Sequence, residues 1–246
     1  MKLNIVIPCY NEEEVLRETT KQLTALVDAM IEEGLLSACD ILYVDHGSKD
    51  GTWRIVEEMQ PQSHYVHGLK LAHNVGHQNA LWAGLSYSVG KCDAAVSIDA
   101  DLQHDIHKIR DMVLAYQDGF EIVYGIRNDR ATDSAFKKRT ALSFYRLMQK
   151  MGVDLIPNHA DFRLLGKNAL QALADFPERN LFLRGMVRLL GFKETEVRFD
   201  CNDRFAGKSK YTLRKMFNFA IDGITSFSVQ PLRVITVIGL LCVGVS

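Results

Sequence analysis

Short apolar runs recur along the first half of the chain. Each is closed by a polar turn and followed by a stretch with apolar residues three or four positions apart. Residues 3–8 (LNIVIP) form the first run and predict a strand. After the turn Cys9-Tyr10-Asn11, the acidic residues Glu12, Glu13 and Glu14 favour a helix start. Val15, Leu23, Leu26, Val27 and Met30 then fall near one face of a helix reaching Ile31. Residues 40–44 (DILYV) predict a second strand, closed by Asp45-His46-Gly47-Ser48. Ser48 or Asp50 can cap the helix that carries Trp53, Ile55 and Val56. A third strand is expected over 65–71, then a loop with Asn74 and Gly76, then a helix through Leu81, Leu85 and Val89. The run 94–98 predicts a buried fourth strand, a helix follows over 106–116, and 121–125 (EIVYG) gives a fifth strand leading to Arg127. This alternation argues for an α/β fold: a mostly parallel sheet with helices on both faces.

Beyond Arg127 the alternation weakens. Lys137, Lys138 and Arg139 open a helical stretch through Met151, and Asp161-Phe162-Arg163-Leu164-Leu165 sets charges beside an apolar run. Another helix is expected to begin within 179–185, residues 193–199 alternate like a strand, and 213–224 read as a helix with Phe217, Phe219 and Ile221. Residues 234–246 (VITVIGLLCVGVS) are almost wholly apolar. A spanning helix takes about 20 such residues, so this run reads as the start of a transmembrane helix, with a buried terminal helix as the alternative. Three regions are expected: a globular domain over 1–212, an amphipathic juxtamembrane segment over 213–233, and the start of a membrane helix over 234–246.

Composition narrows the class. With 47% hydrophobic and 24% charged residues the chain is globular rather than disordered. A formal net charge of −1 gives no global attraction to nucleic acid. The five cysteines are scattered with no Cys-x-x-Cys pair, so neither a zinc site nor a disulfide framework is indicated. Local charge is more telling: 204–215 (RFAGKSKYTLRK) holds five basic residues and no acid. Next to a membrane segment, such a run favours the cytoplasmic side and anionic head groups, while a solvated face is the plainer account.

Candidate chemistry gathers at strand ends. Glu12 follows the first strand, Asp45 the second, and Asp99 and Asp101 the fourth. In a parallel sheet these ends share one edge, where ligands of open α/β sheets bind. Two neighbouring carboxylates repel unless a cation or proton lies between them. Their oxygens suit Mg²⁺ or Mn²⁺, and Mg²⁺ is held by one or two carboxylates plus substrate phosphates. An acidic turn capping the next helix near Asp105 is the alternative. No Gly-x-Gly-x-x-Gly or P-loop is present, which leaves a metal-bound diphosphate rather than a dinucleotide or NTPase site.

The blocks IVIPCYNEEE, VDHGSKDGT, NVGHQNAL, SIDADLQHD, YGIRNDR, DFRLL, ERNLFLRG and RFAGKSKY, in this order, resemble the polyprenyl-phosphate glycosyltransferases of glycosyltransferase family 2. That group includes dolichol-phosphate mannose synthases and bacterial bactoprenol glucosyltransferases, and the similarity covers nearly the whole chain. It implies a GT-A (Rossmann-like) fold, a nucleotide-sugar donor, a divalent metal (Mg²⁺ or Mn²⁺) and a polyprenyl phosphate acceptor, undecaprenyl or dolichyl. It also implies C-terminal membrane-associated helices, contact with membrane lipid, and a catalytic domain on the cytoplasmic side of the cell membrane. No nucleic-acid partner is implied, and homo-oligomerisation is left open.

Carried over residue by residue, the resemblance implies that Pro8, Tyr10, Glu12, Asp45, Asn74, Gly76, Asp99 and Arg127 bind the nucleotide-sugar. Asp99, Asp101 and Gln103 gather around the metal. Asp101, Asp161 and Arg163 serve the reacting centre, and Arg139, Arg204, Lys208, Ser209 and Lys210 hold the acceptor phosphate. Two departures stand out: His46 replaces the second acid of the family's Asp-Asp-Gly-Ser, and His77-Gln78 stand where charged residues are frequent. The expected reaction is an inverting transfer of glucose from UDP-glucose to polyprenyl phosphate. The alternatives are GDP-mannose as donor, a polysaccharide acceptor, and an inactive nucleotide-sugar-binding scaffold.

Overall fold

The computed structural model describes residues 1–128, 159–177 and 182–201, with the isolated positions 236, 242 and 243. The described residues divide between two compact units: 1–128, 159–177 and 190–201 in the first, 182–189 and the three isolated positions in the second. The expected helix from Lys137, the basic loop with Arg204, Lys208, Ser209 and Lys210, the residue Arg139, and all but three positions of 213–246 lie outside the described residues. Among the described residues no helix is long and apolar enough to cross a membrane.

The first unit is built on a seven-stranded sheet. In chain order its elements are β1 (Lys2–Cys9), α1 (Leu16–Glu32), β2 (Ala38–Asp45), α2 (Thr52–Met59), β3 (Val66–Lys70), α3 (His77–Ser88), β4 (Ala94–Ser97), α4 (Lys108–Gln117), β5 (Ile122–Arg127), β6 (His159–Gly166), α5 (Lys167–Ala174) and β7 (Glu194–Phe199). The strand order is β3-β2-β1-β4-β6-β5-β7. Parallel ladders join β1 to β2 and β4, β2 to β3, and β5 to β7. Strand β6 runs antiparallel between β4 and β5, so the sheet is mixed. In the second unit Leu183–Leu189 forms α6, within the range where a helix start is expected, and Leu183, Met186 and Val187 are buried.

Alternation along the strands builds two apolar layers. Ile5, Ile7, Ile41 and Tyr43 face a core shared with Leu23, Val27 and Met30 of α1, Val56 of α2, and Ile109, Met112 and Val113 of α4. On the opposite face α3 approaches so closely that a Cβ on Gly84 would lie 2.3 Å from Val6 Cγ1 and 2.8 Å from Val44 Cγ2. Both faces are therefore covered, which explains why the central strands read as continuous apolar runs.

Strand order reverses at β1: the chain adds β2 and β3 on one side and then crosses back to place β4 on the other. The crevice beyond the carboxyl ends of β1 and β4 is such a switch point, where α/β sheets bind ligands. The apolar pattern of β6 is interrupted by Asp161 and Arg163, which is why it does not read as a strand in the sequence. Its direction matters: being antiparallel, it brings its amino-terminal end to the carboxyl edge of β4, with Ser97 opposite Arg163.

Candidate active site

Two turns after β1 and β2 are laced together. The His46 N–H donates to Cys9 O at 3.2 Å, Asn11 N–H to Ser48 Oγ at 2.9 Å, and Lys49 N–H to Asn11 Oδ1 at 2.8 Å. Glu12 N–H donates to Thr52 Oγ1 at 2.8 Å, and Gly51 N–H to the Glu13 carboxylate at 2.6 Å. Asp50, an expected cap, accepts from Thr52 N–H at 3.0 Å at the start of α2. The expected nucleotide residues Pro8, Tyr10, Glu12 and Asp45 all lie on these elements.

Asp45 closes β2 and is fully buried. Its Oδ1 accepts from Ser48 N–H at 3.1 Å, while its Oδ2 is buried without a hydrogen-bond partner. A buried carboxylate oxygen left unmatched is costly, so this atom is one a bound donor group would satisfy. Beside it His46 stacks on Tyr10, ring centroids 5.2 Å apart. His46 Nδ1 lies 3.2 Å from Asn74 Oδ1, which also accepts from Gly76 N–H at 2.9 Å. An oxygen already fixed as an acceptor requires His46 Nδ1 to carry the proton. Gly47 has φ +83°, and a Cβ there would lie 2.7 Å from backbone atoms of both His73 and Asn74. Only glycine fits this left-handed position and lets the loop with Asn74 and Gly76 close on the turn.

The second half of the site follows β4. Asp99 and Asp101 stand just beyond the strand, Asp99 with its side chain 36% exposed. Thr19 Oγ1 of α1 donates to Ala100 O at 2.7 Å, and Gln103 N–H donates to Asp101 Oδ1 at 3.2 Å. Between them Leu102 has φ +57°, an unusual conformation for a bulky side chain. Asp105, the expected capping acid, accepts from His107 N–H at 3.0 Å one residue before α4.

Strand β6 completes the edge. Arg163, 1% exposed, donates through Nη2 to Asp161 Oδ1 at 2.6 Å, and Ser97 Oγ donates to Asp161 O at 2.5 Å. The other carboxylate oxygen of Asp161 accepts from Gln78 Nε2 at 3.3 Å and lies 3.4 Å from His77 Nε2. His77 Nε2 is also 3.8 Å from Asp99 Oδ1. The amino-terminal end of α3 therefore bears on both carboxylates. At the end of β5, Arg127 is half-buried, its Nη2 is 3.5 Å from His104 Nε2, and its Nε is buried without a hydrogen-bond partner.

Residues 4–173 match the family described as Glycosyl transferase family 2. The chain belongs to glycosyl transferase family 2. It is 56% identical over 238 residues to the Bacillus subtilis (strain 168) protein named uncharacterized glycosyltransferase YkoT, covering 96% of this chain and 71% of the relative. It is 36% identical over 250 residues to the bactoprenol glucosyl transferase of Shigella phage SfX, covering 100% of this chain and 79% of the relative. Among solved structures, glucosyl-3-phosphoglycerate synthase from Mycobacterium tuberculosis, in complex with Mn²⁺, UDP and phosphoglyceric acid, matches with a TM-score of 0.57 at 17% identity. That match covers 89% of this chain and 75% of the synthase, and it shows the GT-A fold.

Family 2 enzymes of this fold raise the question of a metal. Among the described residues no three His, Cys, Asp or Glu side chains are arranged to hold one. Asp99, Asp101 and Gln103 nevertheless offer hard oxygen donors at one turn, which fit Mg²⁺ or Mn²⁺ when diphosphate oxygens complete the shell. His104 and Ser97 have no role assignable from sequence, and His77 and Gln78 stand out there only as departures from the family pattern. A histidine three positions beyond the second acid, and the pair His77-Gln78 at a helix start, are the only signals the chain carries. What joins these residues to the carboxylates is the meeting of β6 and α3 at one edge.

Proposed function

We propose that the protein is a metal-dependent, inverting glycosyltransferase that moves glucose from UDP-glucose to a polyprenyl phosphate at the cytoplasmic face of a membrane. The observation that carries the acceptor class is the state of Asp161. One of its oxygens is taken by Arg163 at 2.6 Å and the other by Gln78 at 3.3 Å. A carboxylate clamped by a cation and an amide is a poor proton acceptor. The acceptor it serves must therefore arrive already nucleophilic. A phosphate monoester meets that need, since its second pKa lies at about 6. A sugar hydroxyl does not, which argues against a polysaccharide acceptor.

In this reading the Asp45 carboxylate and the Tyr10–His46 stack receive the nucleoside. Asp99, Asp101 and Gln103 face the diphosphate with its Mg²⁺ or Mn²⁺. The metal, when bound, supplies neutralisation of the charge that grows on the departing nucleoside diphosphate. Arg127 adds a fixed positive charge at the same edge, with Nε available to a phosphate oxygen. Asp161 holds Arg163 in place at the reacting centre, and positioning of donor against acceptor provides much of the remaining rate. The basic run 204–215 and the apolar run 234–246 suit a lipid phosphate presented from a bilayer. The bactoprenol glucosyl transferase name of a relative at 36% identity supports glucose and a polyprenyl acceptor.

Release of UDP from UDP-glucose, followed with and without a short water-soluble prenyl phosphate, tests the reading. Strong stimulation by the lipid phosphate is expected. GDP release from GDP-mannose with no turnover of UDP-glucose would replace the donor, and release indifferent to lipid phosphate would reject the acceptor.

A further inference from the structure

We propose that His104 is a positioning residue that fixes Asp99, the first carboxylate of the Asp-x-Asp pair. The inference rests on reading this edge as a nucleotide-sugar site. His104 lies on the turn between β4 and α4, with its side chain 0% exposed. Phe162 stacks on its ring at 5.3 Å, and Phe199 meets it edge-on at 5.4 Å. An apolar side chain of similar size would fill that space without the penalty of burying two polar nitrogens. One nitrogen is used on the Asp99 backbone and the other lies between the Asp99 carboxylate and Arg127. The Asp99 N–H donates to His104 Nδ1 at 3.5 Å, and Nε2 lies 3.8 Å from Asp99 Oδ2. Nε2 also lies 3.5 Å from Arg127 Nη2, a donor, so the tie between the ring and Asp99 runs through the Nδ1 bond to the backbone. His77 Nε2 lies 3.8 Å from the other oxygen, Oδ1.

The bond from Asp99 to His104 also closes the turn around Leu102. A leucine at φ +57° stores about 1–2 kcal/mol and stays there only if its surroundings hold it. Thr19 holds Ala100, Asp101 holds Gln103, and burial holds Leu102. His104 holds the near end of the turn, where Asp99 leaves β4. Without it the two carboxylates lose their fixed separation. A displacement of about 1 Å at such a site costs on the order of a hundredfold in rate.

The test uses the full chain and three variants. His104→Phe keeps the ring between Phe162 and Phe199 and removes both nitrogens. His104→Asn returns an acceptor near the place of Nδ1, and His104→Gln returns a polar group near the place of Nε2 only. Calorimetry measures Mn²⁺ binding in the presence of UDP, alongside Tm, kcat and KM. His104→Phe should weaken Mn²⁺ binding about tenfold or more and lower kcat by about ten- to a hundredfold. His104→Asn should recover more of the affinity than His104→Gln, and that comparison stands even if His104→Phe does not fold. A packing role alone would lower Tm with Mn²⁺ affinity unchanged, and equal affinity in the folded variants would overturn the proposal. If the unaltered chain binds Mn²⁺ with neither UDP nor GDP, the nucleotide-sugar reading fails, and this inference fails with it.

Discussion

Asp45 closes β2 and Asp101 lies on the turn just beyond β4, and their surroundings differ. Asp45 is sealed in the sheet with one oxygen on Ser48 N–H and the other without a partner. Replacing it by Asn keeps the shape and the Ser48 bond but removes the charge. Nucleotide affinity should fall about tenfold or more, the worth of a charged hydrogen bond. Titration of UDP by calorimetry checks this, and unchanged affinity would remove Asp45 from the nucleotide site. Asp101 is partly exposed and uses Oδ1 on the Gln103 N–H. Asp101→Asn keeps that turn, so the fold and Tm should survive. On the proposed function turnover should drop by about 10²–10³-fold, because charge would be lost beside the leaving diphosphate. Single-turnover rates at saturating donor measure it, and near-normal rates would refute the metal assignment.

At the scale of elements, α3 is the part that joins the two halves of the site. Its start brings His77 and Gln78 to Asp161, and its middle lies flat on β1 and β2 through Gly84. Gly84→Ala has no room against Val6 and Val44. It should destabilise the protein by about 1–3 kcal/mol through overpacking, read as a lower denaturation midpoint. Because the same shift moves Gln78, kcat should fall as well, whereas unaltered kinetics would show that α3 only packs. A second prediction concerns the link between α1 and β3. Tyr65 OH donates to Asp28 Oδ1 at 2.6 Å, and this bond, helped by burial, pushes the phenol up to about 12 from an ordinary 10.0. A pKa raised by folding means that the contribution is whole below about pH 10 and is lost as pH climbs toward 12. Tyr65→Phe should destabilise by about 0.5–1 kcal/mol at neutral pH. It should also flatten the alkaline fall in stability, as urea midpoints across that range will show.

Much of this architecture is written in the order of apolar runs. Strands β1, β2, β4 and β5 are legible in the sequence because both of their faces are covered, which makes them continuously apolar. Their ends alone place Asp45, Asp99 and Asp101 on one edge. Strand β6 is not legible in the same way, since a buried ion pair between Asp161 and Arg163 looks in sequence like a solvated loop. Its antiparallel direction leaves no trace in periodicity at all. The lacing of Asn11 to Ser48 and of Glu12 to Thr52 is equally hidden, because it joins turns 37 and 40 residues apart.

At the scale of the whole molecule, the carboxyl edge of the sheet gathers the candidate groups from β1, β2, β4 and β6. In the proposed function, donor and acceptor would meet at the edge where β1, β4 and β6 come together, and the nucleophile would be a phosphate oxygen that needs no base. The most direct measurement identifies the product. UDP-glucose labelled in the sugar is incubated with the protein, Mn²⁺ and a short prenyl phosphate, and the lipid product is characterised by mass spectrometry and NMR. One glucose joined through phosphate to the prenyl chain, with inverted anomeric configuration, is the predicted result. Free labelled glucose, a retained anomer, or label transferred only to hydroxyl acceptors would contradict it.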